Sequence, residues 1–247
     1  MINQNYNKLL ELKLNTMAES YIRQSNRKEY TSLPFDERFA LLIDCQIEDS
    51  RNRQIELLRR KATIRIANAR VSDIDYFPER KIDKMLTLSL SECDYIASKL
   101  NMIVVGATGA GKTYYVSALA NAAIDKGIRT KYIRMPDLLY DLNAFRDTPK
   151  SFRRKLKNYS SYDLLVIDDW LITPLNETQQ SDLFELLELR NESRSTILAS
   201  QFDSSGWIER LGSNAVADAI MDRVIHNSYM VNICGDKSMR EIKSKCR

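Results

Sequence analysis

Apolar residues recur at helical spacing through the first part of the chain. From Leu41 to Ala69 they return every three or four positions, and arginines fill many of the positions between them. Residues 1–75 contain no glycine, and Pro34 stands at the expected start of a helix, in SLPFDERF. The pattern predicts helix throughout residues 1–75, including a long amphipathic helix with one apolar face and one basic face.

From about residue 100, short apolar runs alternate with helical stretches. The runs predict five strands, at 102–105 (MIVV), 130–135 (TKYIRM), 163–168 (DLLVID), 195–200 (STILAS) and 229–234 (YMVNIC). The intervening helices are expected to end at Gly127, to begin at Pro136, and to cover 176–191 and 215–225. Uninterrupted apolar strands between helices are typical of a parallel sheet covered on both faces. We therefore predict an α/β fold with a five-stranded parallel sheet flanked by helices.

Pro78 lies between these two patterns, in DIDYFPERKIDK. A proline in a polar stretch marks a linker, so we place a domain boundary there. The expected organisation is a small all-α N-terminal domain at residues 1–78 and an α/β domain at residues 79–247.

Composition places the chain among ordinary globular proteins. It has 247 residues, of which 44% are hydrophobic and 28% charged. Its cysteines, at positions 45, 93, 234 and 246, are far apart, and it has one histidine, so neither a disulfide framework nor a zinc site is expected. The N-terminus lacks the apolar stretch of a signal peptide, and no apolar run approaches membrane-spanning length. We expect a cytoplasmic protein.

Positive charge is concentrated in two segments, although the net charge of the chain is only +4. Residues 51–70 hold seven basic side chains against one acidic, and residues 146–157 hold six against one. Such segments on an otherwise acidic body favour a polyanion partner, and the alternative is a solvated helical face. The candidate DNA-contacting residues are Arg51, Arg53, Arg59, Arg60, Lys61, Arg65, Arg70, Arg153, Arg154 and Lys155.

Residues 106–113 read GATGAGKT, which fits the phosphate-binding loop GxxxxGK[ST]. The motif lies between a predicted strand and a predicted helix, as its chemistry requires, whereas a glycine-rich surface turn would need neither. Lys112 can reach the β- and γ-phosphates of ATP, and the Thr113 hydroxyl can ligate Mg²⁺. The candidate nucleotide-binding residues are Gly106, Ala107, Thr108, Gly109, Ala110, Gly111, Lys112, Thr113 and Tyr114.

A pair of carboxylates ends the predicted strand at 163–168. The carboxyl ends of parallel strands share one edge of the sheet, so Asp168 and Asp169 are expected beside the phosphate-binding loop. We predict that Asp168 serves Mg²⁺, through water, and that Asp169 is the general base for the attacking water. A plain turn or helix cap is the alternative.

Two further positions are candidates for catalysis. Ser200 or Gln201, at the end of the strand STILAS, could sense the γ-phosphate, unless they are an ordinary polar strand end. Arg223, in AVADAIMDRVIH, is a candidate arginine finger that reaches the ATP of a neighbouring subunit; the alternative is a salt-bridged helix arginine.

Several motifs, in this order, resemble the IstB/DnaC-like branch of the AAA+ ATPases. They are LPFDERFALLIDCQIEDSRNRQIELLRRKATI, GATGAGKT, LLVIDDW, STILASQ, ADAIMDRVIHNS and GDKSMR, and they cover almost the whole chain. The resemblance implies an AAA+ fold, a homo-oligomer formed with ATP on double-stranded DNA, and an IstA-like transposase as partner. It also implies the catalytic roles given above, and a contact of Arg240 with nucleotide or a neighbour. Leu171 departs from the glycine common after DDW.

These observations leave three functions open. The first is an ATPase that assembles on target DNA and assists transposition, with weak sequence preference because no zinc-finger or homeodomain motif is present. The second is a DnaC-like loader of a replicative helicase. The third is a P-loop kinase of small molecules, which would act as a monomer.

Overall fold

The computed structural model describes residues 2–30, 32–235 and 239, and the chain divides into two compact units, Met1–Leu57 and Leu58–Arg247. The helices are α1 (Ile2–Glu11), α2 (Asn15–Asn26), α3 (Phe35–Ala62), α4 (Lys84–Ser91), α5 (Asp94–Ala97), α6 (Lys112–Asp125), α7 (Met135–Asn143), α8 (Pro149–Ser160), α9 (Glu177–Arg190), α10 (Ser204–Leu211) and α11 (Ala215–Ile225). The strands are β1 (Asn101–Gly106), β2 (Thr130–Arg134), β3 (Leu164–Trp170), β4 (Ser195–Ser200) and β5 (Ser228–Ile233). Short 3-10 turns lie at Lys28–Tyr30, Val71–Asp73 and Pro78–Arg80.

The first unit is helical, as the apolar spacing predicted. Ala18 on α2 and Leu42 on α3 are buried. The side-chain amide of Gln24, which is 3% exposed, donates to the backbone oxygen of Arg38 at 2.9 Å, so this buried polar group is satisfied. The predicted apolar face of α3 is buried only in part, since Ile47 is exposed.

Helix α3 ends at Ala62, so the prediction of helix through residue 75 is wrong beyond that point. Thr63 has φ +53°, a left-handed conformation that interrupts a helix. Its hydroxyl donates to the backbone oxygen of Tyr132 at 3.1 Å. Ile66 and Ala69, whose spacing continued the helical pattern, pack instead against the core of the second unit. Tertiary hydrogen bonds and burial thus override the local periodicity.

The two compact units do not divide where the sequence suggested. The division falls between Leu57 and Leu58, whereas the linker was expected at Pro78. The residues between these points belong to the second unit because Ala69 and Ile74 are buried in its core. A functional boundary after residue 78 stays a prediction.

The second unit contains a five-stranded sheet in the order β2-β3-β4-β1-β5, in which every neighbouring pair is parallel. This confirms the predicted fold class. Strand β1 lies between β4, the central strand, and the edge strand β5. Since all strands run the same way, Gly106, Asp168 and Ser200 meet at the carboxyl edge.

Each face of the sheet carries its own hydrophobic core. Met102 and Val104 face the core that includes Val116 of α6, whereas Ile103 faces the core that includes Leu138 of α7. Burial on both faces explains why the strands read as uninterrupted apolar runs. No helix of the described part of the chain is long and apolar enough to cross a membrane.

Helices α4, α5, α8 and α10 were not anticipated from the sequence. In α8 the buried residues are Leu156 and Tyr159, and most of the other positions are polar or basic. Phe152, Leu156 and Tyr159 recur at helical spacing, so the sequence did contain a signal for this helix. The second basic segment is therefore helical, and Arg153 and Arg154 on it are exposed.

Candidate nucleotide-binding site

The phosphate-binding loop connects the end of β1 to the start of α6. Gly106 lies against β5, where an added Cβ would lie 2.3 Å from the backbone oxygen of Ile233. Gly109 and Gly111 have φ +84° and +98°, which non-glycine residues rarely adopt. The glycines thus let the chain turn directly from β1 into the helix, whose first amide groups favour an anion.

Lys112 is the first residue of α6. Its ammonium donates to the backbone oxygens of Gly106 at 2.7 Å and Ala107 at 3.0 Å. Burial lowers the pKa of Lys112, and the charges of Asp168 and Asp169 oppose this shift. The positive charge is therefore held at the loop itself, where phosphates bound by the loop amides would meet it.

Asp168 lies beside the phosphate-binding loop, in direct contact with Thr113. The Thr113 hydroxyl donates to Oδ2 of Asp168 at 2.8 Å, and the same oxygen accepts from the hydroxyl of Tyr132. Asp168 is 1% exposed. Burial and the charge of Asp168 raise the pKa of Tyr132, so its hydroxyl stays protonated and donates. A hydroxyl and a carboxylate in contact are the oxygen donors that Mg²⁺ takes, so these residues fit the ion.

Asp169 points into the cleft rather than into the core. Its side chain is 25% exposed, and its φ is +54°, at the irregularity between Ile167 and Trp170 in the pairing of β3 with β4. Its carboxylate accepts from Nε of Arg134 at 2.7 Å, and its backbone amide donates to Oδ1 of Asp168 at 2.9 Å. The hydrogen bond to Asp169 raises the pKa of Arg134. The left-handed residue turns the second carboxylate toward solvent while the first stays buried.

Arg134 was missed in the sequence, although a signal was available. It is the last residue of β2 and lies in register with Asp168 on the neighbouring strand. The end of β2 therefore reaches the same edge of the sheet as the carboxylate pair. The predicted strand at 130–135 was by itself sufficient to place Arg134 at that edge.

The two sensor candidates occupy different environments. Ser200 is fully buried, and its hydroxyl donates to the backbone oxygen of Trp170 at 3.1 Å and accepts from Nε1 of Trp207 at 3.1 Å. Gln201 lines the cleft, and its Oε1 accepts from the Thr108 hydroxyl of the loop at 2.7 Å. The geometry therefore favours Gln201 for contact with a nucleotide, and Ser200 for holding the strand end.

A cleft of about 830 Å³ brings these groups together. It is lined by Arg65, Ile66, Asp73, Asp75, Arg80, Thr108, Gly109, Gly111, Lys112, Thr113, Tyr114, Arg134, Asp169, Trp170, Ile172, Ala199, Gln201 and Met239. The contribution of residues 65–80 to the lining of the cleft was not predicted, because no sequence motif lies in that segment. Arg65 stands out, since it was expected on a DNA-binding helix and lies instead in this cleft, 3.7 Å from Asp169.

Arg80 supports the loop from this wall. It is 7% exposed, and its guanidinium donates to the backbone oxygens of Ala110 at 2.8 Å and Asp75 at 2.6 Å. Its own backbone oxygen accepts from the amide of Cys234 at 2.9 Å. Burial lowers the pKa of Arg80. The residue ties the phosphate-binding loop to the segment before β1 and to the segment after β5.

Arg223 lies away from the cleft of its own subunit. Its side chain pairs with Glu188, donates to the backbone oxygen of Ala219 at 2.9 Å, and covers the ring of Phe184 at 4.5 Å. Its backbone oxygen accepts from Asn101, which begins β1 at the edge opposite the loop. A role of Arg223 in catalysis thus requires the cleft of another subunit, and the predicted finger stays a prediction.

Most of the candidate DNA-contacting residues are accessible. Those exposed are Arg51, Arg53, Arg60, Lys61, Arg65, Arg70, Arg153 and Arg154. Besides Arg65, three of the candidates form ion pairs: Arg53 with Asp49, Arg59 with Asp125 at 2.6 Å, and Lys155 with Asp141 at 2.7 Å. Arg240 lies outside the described residues.

Comparison with known proteins gives consistent matches. The family model described as IstB-like ATP binding protein matches residues 7–246. The chain is 35% identical over 205 residues to an insertion-sequence ATP-binding protein from Pseudomonas fluorescens, which covers 83% of this chain and 88% of that one. It is 32% identical over 238 residues to another from Sinorhizobium fredii, over 96% of each chain. These matches confirm the family resemblance that the sequence motifs indicated.

Solved structures show the same fold. The DnaC helicase loader has a TM-score of 0.55 at 23% identity, over 67% of this chain and 97% of that chain. AMPPCP-bound DnaA from Aquifex aeolicus has a TM-score of 0.57 at 22% identity, over 72% of this chain and 54% of that chain. This chain therefore spans about half of DnaA. The likeness is one of fold, and both neighbours are AAA+ P-loop proteins.

Proposed function

Because the chain belongs to the IstB-like family of insertion-sequence ATP-binding proteins, we propose that it is a Mg²⁺-dependent ATPase that assembles on double-stranded DNA and assists transposition. The observation that carries the proposal is that Lys112, Thr113 and Asp169 line one cleft beside a phosphate-binding loop, with the buried Asp168 in contact with Thr113. That set provides a cation, two oxygen donors for a metal and an accessible carboxylate.

Each side chain has a task in hydrolysis. The loop amides and Lys112 bind the phosphates, and Asp169 accepts a proton from the attacking water because its carboxylate lines the cleft. Gln201 orients that water from the end of β4, where the loop hydroxyl of Thr108 holds its side chain. Thr113 and Asp168 would hold Mg²⁺, which neutralises charge on the phosphates.

Assembly on DNA is supported by charge. The exposed arginines of residues 51–70 and of α8 offer phosphate contacts that need no base sequence. Relatives named as insertion-sequence proteins favour a transposase as the partner that the assembled ATPase recruits.

A composite active site would connect assembly to hydrolysis. Arg223 lies at the sheet edge opposite the loop, on the surface helix α11, with its side chain partly exposed. We place it as the finger that completes the cleft of a neighbouring subunit. Its ion pair with Glu188 would then open when subunits associate.

The test is ATP hydrolysis by the purified chain with Mg²⁺, at several protein concentrations, with and without duplex DNA. The expected result is hydrolysis that duplex DNA stimulates and that dilution suppresses, with no activity in Lys112→Ala. Phosphate transfer to a metabolite by the diluted protein would support the kinase alternative instead. Retention of a replicative helicase, with no retention of an IstA-like transposase, would support the loader alternative.

A further inference from the structure

The segment that follows helix α3 is held from two sides. At one end, the Thr63 hydroxyl donates to the backbone oxygen of Tyr132 on β2 at 3.1 Å. At the other, the side-chain amide of Asn121 on α6 donates to the backbone oxygen of Ala69 at 2.9 Å. Asn121 also reaches the backbone oxygen of Ile66 at 3.3 Å. The backbone between these anchors is therefore fixed against both the edge strand and the helix that carries the phosphate-binding lysine.

Arg65 lies in this segment and directs its guanidinium into the nucleotide cleft. Its Nη1 is 3.9 Å from Oδ2 of Asp168 and 3.7 Å from Oδ2 of Asp169. These separations are ion-pair distances but exceed a hydrogen bond. Both carboxylate oxygens already accept shorter hydrogen bonds, from Thr113 and from Arg134 respectively. The side chain of Arg65 is 45% exposed, so another anion can reach its donors.

The position of Arg65 indicates which end of a bound nucleotide its side chain would contact. Lys112, Thr113 and Asp169 mark the end of the cleft at which the terminal phosphates of ATP would lie. Arg65 lies beside that end, because the same oxygen of Asp168, Oδ2, is close both to the guanidinium of Arg65 and to the hydroxyl of Thr113. ATP carries more negative charge there than ADP, and an arginine fork binds phosphate oxygens in pairs.

We propose that Arg65 binds the terminal phosphate of ATP within its own subunit and so distinguishes ATP from ADP. This inference rests on the cleft being the ATP site. It assigns Arg65 to the nucleotide rather than to DNA, unlike its neighbours in the basic run. Arg65 and Arg223 are then separate contributions, the first from the same chain and the second from a neighbour.

The test compares the affinities of the full chain for a non-hydrolysable ATP analogue and for ADP, both with Mg²⁺, by isothermal titration calorimetry. Arg65→Ala is expected to lose about 10-fold or more in affinity for the analogue, the size of one charge-assisted hydrogen bond, and to change within about 2-fold for ADP. Arg65→Lys, which keeps the charge but not the fork, should lose less. The matched control is Arg60→Ala, an exposed arginine of the same basic run outside the cleft, which should change neither affinity.

Two outcomes would overturn the proposal. Equal losses for the analogue and ADP, in both Arg65 variants, would make the residue a structural support of the cleft. Unchanged affinity for both nucleotides, with a loss of duplex DNA binding like that of Arg60→Ala, would return Arg65 to the DNA surface. Failure of the proposed function is separate: a wild-type chain that binds both nucleotides but hydrolyses no ATP rejects the ATPase and leaves the affinity ratio measurable.

Discussion

The carboxylate of Asp169 accepts a hydrogen bond from Nε of Arg134 at 2.7 Å, which joins the ends of β2 and β3 at the carboxyl edge of the sheet. The adjacent carboxylate, Asp168, is buried and contacts Thr113. Two neighbouring residues of the same type thus have different environments, since Asp168 contacts Thr113 and Asp169 faces the cleft.

Asp169→Asn should bind ATP but hydrolyse it at least about 100-fold more slowly, because an amide cannot accept the proton of the attacking water. The amide oxygen can still accept from Arg134, so the fold should be kept. The measurement is single-turnover hydrolysis together with nucleotide affinity. Normal turnover in this variant would remove Asp169 as the base.

Thr113→Val should raise the Mg²⁺ concentration needed for half-maximal hydrolysis by about 10-fold or more, since it removes one oxygen donor. It also deprives the buried carboxylate of Asp168 of a hydrogen bond, at about 1–3 kcal/mol. A Mg²⁺ titration of activity and a thermal melt check the two effects. Thr113→Ser keeps the hydroxyl and is the matched control, so equal defects in both variants would count against the metal role.

Ser200→Ala and Gln201→Ala should separate stability from catalysis. The first removes the hydroxyl that bridges Trp170 and Trp207, so it should lower stability by about 1–2 kcal/mol and leave hydrolysis per folded molecule nearly unchanged. The second removes a side chain of the cleft wall and should lower kcat by about 10-fold or more with little change in Tm. The reverse pattern would assign the sensor to Ser200.

Arg80→Met should destabilise the phosphate-binding loop. The guanidinium holds the backbone oxygens of Ala110 and Asp75, and hydrogen bonds to a charged group contribute about 1.5–3 kcal/mol. We expect a Tm lower by several degrees and a weaker affinity for ATP and ADP alike, because the loop amides serve both nucleotides. Equal Tm values for the variant and the wild type would show that the loop does not depend on Arg80.

Arg223→Ala mixed with Lys112→Ala should recover part of the ATPase activity that each variant lacks alone. A mixed interface can combine an intact cleft from one subunit with an intact arginine from the other, provided that Arg223 acts in trans. The measurement is hydrolysis across a series of mixing ratios with duplex DNA present. Absence of recovery at every ratio, with oligomers formed as in the wild type, would make Arg223 a structural residue paired with Glu188.

The local sequence pattern was sufficient to predict the phosphate-binding loop and the strands of the sheet. The phosphate-binding loop at 106–113 and the five strands could be predicted because each depends on neighbouring residues: glycines where φ is positive, and apolar runs where both strand faces are buried. The carboxyl edge then followed from the parallel order, which brought Asp168 beside Thr113.

Tertiary structure decided the rest of the site. The run of helical spacing through residue 69 predicted a continuous basic helix, but hydrogen bonds from Thr63 and Asn121 hold the chain in a turn after Ala62. That turn moves Arg65 from the expected DNA surface into the nucleotide cleft. Periodicity indicates which side of a helix is apolar. Contacts between distant segments determine where the helix ends and which groups lie near the charged residues that follow it.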